Sequence, residues 1–149
     1  MKTYIIDTNA LLSFVTDRNP QQQVTMAMLF EQAAGLNCKI LCHSHVITEF
    51  VYVLEKVYGH DKPAIRRMIK DFMAMPGIVV IHQIDFSMLL DYWPDAISDF
   101  GDSVVAALWS QNRHASVVTF DKPFIKQLKA FGARVYADEK TDNGVASKL

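Results

Sequence analysis

The sequence predicts a single α/β domain folded as a three-layer α/β/α sandwich around a mostly parallel central sheet. Short apolar runs rich in β-branched residues alternate with longer segments of helical spacing, and the connections between them are short. The chain has 149 residues, of which 50% are hydrophobic and 21% charged, so it can bury a core of its own. Strands and helices that alternate in this way place helices on both faces of a parallel sheet.

Five runs have the length and composition of strands, and each contains valine or isoleucine. They are residues 4–6, 39–42, 78–81, 116–120 and 134–136. Between them, apolar residues recur at helical spacing in residues 21–34, 46–58, 64–75, 86–92, 103–112 and 124–131. Ser44 and Asp61 suit helix N-caps, and Gly35, Gly59 and Gly132 fall where C-terminal caps belong. Residues 138–149 are polar and aperiodic, so the domain is predicted to span residues 1–137 and to end in a flexible tail.

The formal net charge is only −1, so a polyanion would have to bind a local surface rather than a basic field of the whole molecule. Two predicted helices carry basic groups, which are most often solvated faces: Arg66, Arg67 and Lys70 on one, and Lys122, Lys126 and Lys129 on the other. Cys38 and Cys42 lack the spacing of a redox or zinc motif and are expected to be reduced core thiols. Neither a leader peptide nor a membrane-spanning run is evident, which predicts a cytoplasmic location.

Acidic side chains from several segments are predicted to meet at one edge of the sheet. Asp7 follows the first strand and Asp121 follows the fourth, so both stand at the carboxyl edge, where parallel sheets bind ligands. Glu49 lies one turn into the helix after the second strand, and Asp102 begins the helix that precedes the fourth strand. Asp99 either joins these acids or caps the helix that Asp102 begins.

Carboxylates held close together repel one another, and at neutral pH this repulsion is relieved by proton uptake or by a cation, of which a hard divalent metal is the natural choice. Mg²⁺ takes oxygen ligands and commonly binds through one or two carboxylates together with phosphate oxygens of a substrate. The acids therefore favour metal-assisted attack of water on a phosphodiester, with no protein nucleophile. Consistent with this, the sequence has neither a G-x-S-x-G elbow nor a phosphate-binding glycine loop.

Four segments of the chain resemble the PIN domain, and in particular the VapC class of bacterial toxin ribonucleases. They are YIIDTNALLS, VITEFVYVL, DFGDSVVAALW and SVVTFDKPF, which stand in the order and at the spacing of that family and span nearly the whole chain. The resemblance implies that Asp7, Glu49, Asp102 and Asp121 are catalytic and bind Mg²⁺ or Mn²⁺.

The same resemblance implies that Asn9 and Thr119 orient the metal-binding side chains. The family cleaves single-stranded or loop regions of RNA by metal-assisted hydrolysis, and its toxin members dimerise and are held inactive by a VapB antitoxin. The chain is accordingly predicted to be a metal-dependent endoribonuclease with a metal-activated water, an RNA substrate, a VapB-like antitoxin and a homodimeric state. The segment beyond Tyr136 matches nothing in the family.

Two other functions stay open on the sequence alone. One is a catalytically silent PIN-like module that binds RNA or a protein and keeps the acids as a structural metal site. The other is a phosphatase or phosphotransfer domain with Asp7 as nucleophile. Asn9 weakens that reading, because a haloacid-dehalogenase-like site has its second acid at this place. Binding of RNA without cleavage would favour the first, and a trapped aspartyl phosphate would favour the second.

Two histidines and two aromatic residues lie near the predicted acid edge. His43 and His45 are predicted to share one strand face, but a pair without further ligands favours packing over metal binding. Phe100 and Phe124 lie near the rim, where an exposed ring can stack on an unpaired base, but the sequence assigns this role to neither. Four other aromatic residues fall on helical apolar stripes and are expected in the core: Phe50, Tyr52, Phe72 and Trp109.

Overall fold

In the computed structural model of the protein, which describes residues 1–139, five strands form a sheet with every pair of neighbours parallel. The strands are β1 (Lys2–Ile6), β2 (Cys38–His43), β3 (Ile78–Ile81), β4 (Ser116–Val118) and β5 (Arg134–Val135), in the order β3-β2-β1-β4-β5. The helices are α1 (Thr8–Val15), α2 (Pro20–Ala34), α3 (Ser44–Lys56), α4 (Lys62–Ala74), α5 (Phe86–Tyr92), α6 (Phe100–Ser110) and α7 (Lys122–Ala130). The predicted α/β sandwich with a parallel sheet is confirmed.

The first strand of the chain lies in the middle of the sheet. Ile5 pairs with Leu41 of β2 on one side and with Val117 of β4 on the other. Ile5 and Ile6 are fully buried, as expected for a parallel sheet covered by helices on both faces. Because the three central strands run in the same direction, the residues that follow them begin at one common edge of the sheet.

Helix α1 was not predicted from the sequence pattern. Four consecutive residues of this helix, Ala10, Leu11, Leu12 and Ser13, are buried. A helix buried on several sides shows no alternation between a polar and an apolar face, so its period is invisible in the sequence. The helix begins directly after β1 because Asp7 is its N-cap.

Several predicted boundaries differ from those of the structure. Helix α6 begins at Phe100 rather than at residue 103, because the Asp99 side chain caps it by accepting a hydrogen bond from the Asp102 amide at 2.9 Å. Asp102 therefore lies within the first turn and does not begin the helix. Strand β4 ends at Val118 rather than at residue 120, and the strand predicted at 134–136 ends at Val135.

The chain turns helical again at residues 136–139, partly inside the predicted tail. Asp138 accepts from Lys129 of α7 at 2.9 Å, and Glu139 accepts a short hydrogen bond from Ser116 of β4. These two contacts hold the segment against the domain. The rest of the predicted tail, residues 140–149, lies outside the described residues, and the domain boundary at residue 137 stays a prediction.

The two histidines do not share a strand face, contrary to the prediction. His43 ends β2, whereas His45 already belongs to α3. The His43 ring caps α3 by accepting a hydrogen bond from the His45 amide at 3.0 Å, which explains its burial without a metal. Cys38 and Cys42 are free and buried, as predicted. Within residues 1–139, every helix is too short or too polar to cross a membrane.

Candidate active site

The acidic side chains singled out from the sequence line one pocket at the carboxyl edge of the sheet. Asp7 stands at the end of β1, Glu49 in α3, Asp102 in the first turn of α6, and Asp121 directly before α7. The pocket has a volume of about 140 Å³. It is lined by Asp7, Thr8, Asn9, Glu49, Asp99, Gly101, Asp102, Val105 and Asp121. Topology therefore brings together carboxylates that are up to 114 positions apart, from residue 7 to residue 121.

Asp7 is the most buried of these acids, with 4% of its surface exposed. The Ala10 amide donates a hydrogen bond to its Oδ1 atom at 2.8 Å. Burial raises the pKa of Asp7 from 3.8 to about 7, against the lowering effect of hydrogen bonds from Thr119 and Ala10. Asp121 raises this pKa further, and Arg18 lowers it. An acid with such a pKa binds a proton or a cation readily at neutral pH.

Thr119 and Asn9 connect the ends of β1 and β4. Thr119 donates to Asp7 and accepts a hydrogen bond from the Asp121 amide at 3.2 Å. Asn9 accepts from the Phe120 amide at 3.2 Å. Asp121 is the N-cap of α7, but its carboxylate makes no capping hydrogen bond. The two predicted orienting side chains thus join the segments that carry Asp7 and Asp121, and the Asp121 carboxylate is not used to cap its own helix.

Glu49 reaches the pocket from the side of α3. The Thr8 hydroxyl donates to its Oε1 atom at 3.0 Å, and His45 Nε2 lies 3.3 Å from the same oxygen. A Cβ atom added to Gly101 would lie 2.7 Å from Glu49 Oε1, closer than such atoms approach. A side chain at position 101 would therefore force the Glu49 carboxylate, the far end of a flexible side chain, to move from this position.

The pKa of Asp102 is raised by every other acid that lines the pocket. Burial raises its pKa from 3.8 to about 8, and repulsion from Asp99, Asp7, Asp121 and Glu49 raises it as well, in that order. These contributions place Asp102 within electrostatic reach of each of the other four acids. A divalent cation would relieve it, and oxygen-only donors suit a hard ion such as Mg²⁺ or Mn²⁺ better than a soft one.

The acids are neighbours in a pocket rather than a closed set of ligands. Within residues 1–139, no three histidine, cysteine, aspartate or glutamate side chains come close enough together to hold an ion by themselves. This differs from the expected tight cluster, because the carboxylates line one pocket without converging on a single point. The residues still fit an ion of the Mg²⁺ type, which takes one or two carboxylates and leaves its other positions to water and phosphate.

Three residues at the site were not recognised from the sequence: Thr8, Arg18 and Gly101. Thr8 and Arg18 have no distinctive pattern, since their importance lies in contacts with Glu49 and with the charge of Asp7. Gly101 had a signal, because glycine is unfavourable inside a helix and therefore often marks a close approach. Asp99, which was left between two roles, caps α6 and also lines the pocket.

Comparison with known proteins agrees with this architecture. A family model described as PIN domain matches residues 3–123. Among solved structures, the chain is similar to VapC20 of Mycobacterium tuberculosis, a toxin that cleaves the sarcin-ricin loop, with a TM-score of 0.62. The two chains are 15% identical, and the match covers 83% of this chain and 93% of VapC20, which supports a common fold. No curated protein matches the sequence.

Proposed function

The chain belongs to the PIN-domain family, and from this premise we propose that it is a Mg²⁺- or Mn²⁺-dependent endoribonuclease and the toxin of a VapBC-type pair. One observation supports this above the others: Asp7, Glu49, Asp102 and Asp121 line the same pocket although they come from separate segments. Membership of the PIN family by itself supports a nuclease.

Within this hypothesis, Asp7, Glu49, Asp102 and Asp121 would hold the divalent ion. A bound ion of this kind lowers the pKa of water and offsets negative charge on phosphate oxygens. The chain supplies the positioning: Thr8 and His45 hold the Glu49 carboxylate, while Thr119 bridges the segments of Asp7 and Asp121. No protein side chain is required as nucleophile.

The partners follow from the same hypothesis. RNA is the substrate, and the likeness to VapC20 supports the toxin assignment because the two chains share a fold along most of their length. A VapB-like antitoxin and a second copy of the chain are the protein partners that a VapC-type toxin requires. The sarcin-ricin loop is the target of VapC20, and the shared fold does not assign that RNA to this chain.

Purified protein is expected to cleave RNA in the presence of Mg²⁺ or Mn²⁺ and to stop when EDTA is added, because the carboxylates alone cannot offset the charge of the reacting phosphate. Cleavage is measured on end-labelled RNA by gel electrophoresis, and excess Mg²⁺ should restore it after EDTA. Cleavage that is unaffected by EDTA contradicts metal dependence. Binding of RNA without cleavage at any metal concentration favours the silent PIN-like module.

Substitution of Gly101 by alanine is expected to slow RNA cleavage roughly ten-fold, comparable to the loss of a residue that orients a metal ligand. The new Cβ atom would displace the Glu49 carboxylate, which lies only 2.7 Å from its position. The Tm should not fall, because alanine favours a helix over glycine and the carboxylate is the free end of a flexible side chain.

Gly35→Ala is the matched control, since Gly35 ends α2 away from the pocket and has a negative φ of −82°. It should leave the cleavage rate unchanged. Equal rates for Gly101→Ala and wild type would show that the position of Glu49 does not limit the reaction.

A further inference from the structure

A cluster of aromatic rings, formed by Trp93, Phe100 and His45, lies beside the acid-lined pocket. The ring centroids of Trp93 and Phe100 are 5.4 Å apart with planes at 84°, and those of His45 and Phe100 are 6.0 Å apart at 67°. Both contacts are edge-to-face arrangements, which aromatic pairs prefer over direct face-to-face stacking. The Phe100 ring is therefore held at two sides by its neighbours.

The cluster is continuous with the pocket. Phe100 directly precedes Gly101, which lines the pocket beside Glu49. His45, which packs against the Phe100 ring, lies 3.3 Å from Glu49 Oε1 through its Nε2 atom. The indole of Trp93 donates to the Ser98 carbonyl at 3.0 Å, which fixes this ring to the loop that leads into α6. A group lying on Phe100 would thus stand next to the acids.

Phe100 is also exposed, unlike the other rim aromatic considered from the sequence. Phe124 is fully buried and serves the core, whereas 39% of Phe100 stays accessible at the first position of α6. Phe86, at the start of α5, is more exposed at 59%, but it belongs to a different surface and makes no ring contact in the described chain. An exposed ring that is fixed in place beside the acid-lined pocket has the properties of a base-stacking surface.

We propose that Phe100, supported by Trp93 and His45, stacks on an unpaired nucleobase and so positions the adjoining RNA phosphate at the acid pocket. This proposal rests on the proposed nuclease function. It names a residue that would position the RNA substrate, because no aromatic side chain of residues 1–139 lines the pocket itself. Stacking on a side chain requires a base that is free of its own stack, so the surface selects unpaired nucleotides over a duplex. It is tolerant of sequence, because every base presents a π-face.

The test measures RNA binding separately from cleavage. A short, fluorescently labelled RNA without self-complementarity is titrated with the Asp7→Asn protein in Mg²⁺, and affinity is read by anisotropy. Adding Phe100→Leu, which keeps an apolar side chain but removes the ring, should weaken binding about ten-fold, while Phe100→Trp should retain it. Phe86→Leu is the matched control and should bind as the parent does. Quenching of Trp93 fluorescence by bound RNA, measured with Trp109→Phe so that Trp93 is the one tryptophan of the parent, gives a readout that loss of packing alone would not produce.

The outcomes separate the two hypotheses. If the parent fails to bind RNA, or if Phe100→Leu binds RNA as tightly as the parent with an unchanged Tm, base stacking on Phe100 is overturned. If Phe100→Leu lowers the Tm, the comparison is made between Phe100→Trp and the parent, and ten-fold weaker binding by a well-folded Phe100→Trp overturns stacking as well. If RNA binds through Phe100 but wild-type protein never cleaves it, stacking stands and the nuclease assignment fails.

Discussion

Replacement of Asp7 by asparagine is expected to lower the rate of Mg²⁺-dependent RNA cleavage by on the order of 10³-fold while the fold stays intact. Asparagine has the shape of aspartate, and its amide oxygen can still accept the hydrogen bond that the Ala10 amide donates to Asp7. What disappears is the negative charge at the most buried position of the pocket. The loss should therefore fall on metal binding and the chemical step, which single-turnover cleavage of end-labelled RNA measures.

Asp91→Asn provides the matched control. Asp91 is an exposed acid on α5 and does not line the pocket, so its neutralisation changes the net charge by the same amount without touching the site. This variant should cleave RNA at the wild-type rate. Circular dichroism should give the same spectrum for both variants, and wild-type activity of a folded Asp7→Asn protein would remove Asp7 from the active site.

The Tm of the protein in EDTA is expected to fall by roughly 5 °C as the pH rises from about 6 to about 8. The folded-state pKa values of Asp7 and Asp102 are about 7 and about 8, whereas the usual value of aspartate is 3.8. Between these values the folded protein holds protons that the unfolded chain has released. Stability from these groups is thus fully present below the unfolded pKa and is lost as the pH passes the folded pKa.

Scanning calorimetry with and without Mg²⁺ checks this expectation. Mg²⁺ should raise the Tm more at the higher pH, where protons no longer compete for the carboxylates. The double variant Asp7→Asn, Asp102→Asn should show a flatter dependence on pH. Burial lowers the pKa of His43, so this residue makes the folded protein more stable as the pH rises towards 6.5, its usual pKa. The effect of the two aspartates is therefore read above pH 6.5. A double variant as pH-sensitive as wild type would contradict the assignment of this effect to the two aspartates.

The acids could be found from the sequence because their positions follow from topology. Asp7 comes directly after the first strand and Asp121 closely after the fourth, and the carboxyl ends of parallel strands meet at one edge. The sequence could not resolve which of Asp99 and Asp102 caps α6, since both carry the same side chain within one helical turn. The structure assigns the capping hydrogen bond to Asp99.

Other features depend on contacts between residues distant in the chain, which local patterns do not encode. The bond from Thr8 to Glu49 spans 41 positions, and the bond from Phe120 to Asn9 spans 111. Helix α1 was not predicted because it is buried on several sides, so its sequence shows no separate polar and apolar faces. The exposure of Phe100 against the burial of Phe124 is likewise decided by packing, although both phenylalanines lie near the same edge.

The central position of β1 has a consequence for how the protein is made on the ribosome. While β4 is still untranslated, one edge of β1 has no partner, and Asp121, which comes three residues after β4, has not been added. A nascent chain that ends before residue 119 contains Asp7, Glu49 and Asp102 but lacks Asp121. It also lacks the segment of residues 119–121, whose hydrogen bonds with Asn9 and Asp7 connect the ends of β1 and β4. The pocket is therefore completed only late in translation, so a truncated product carries an incomplete set of its acids.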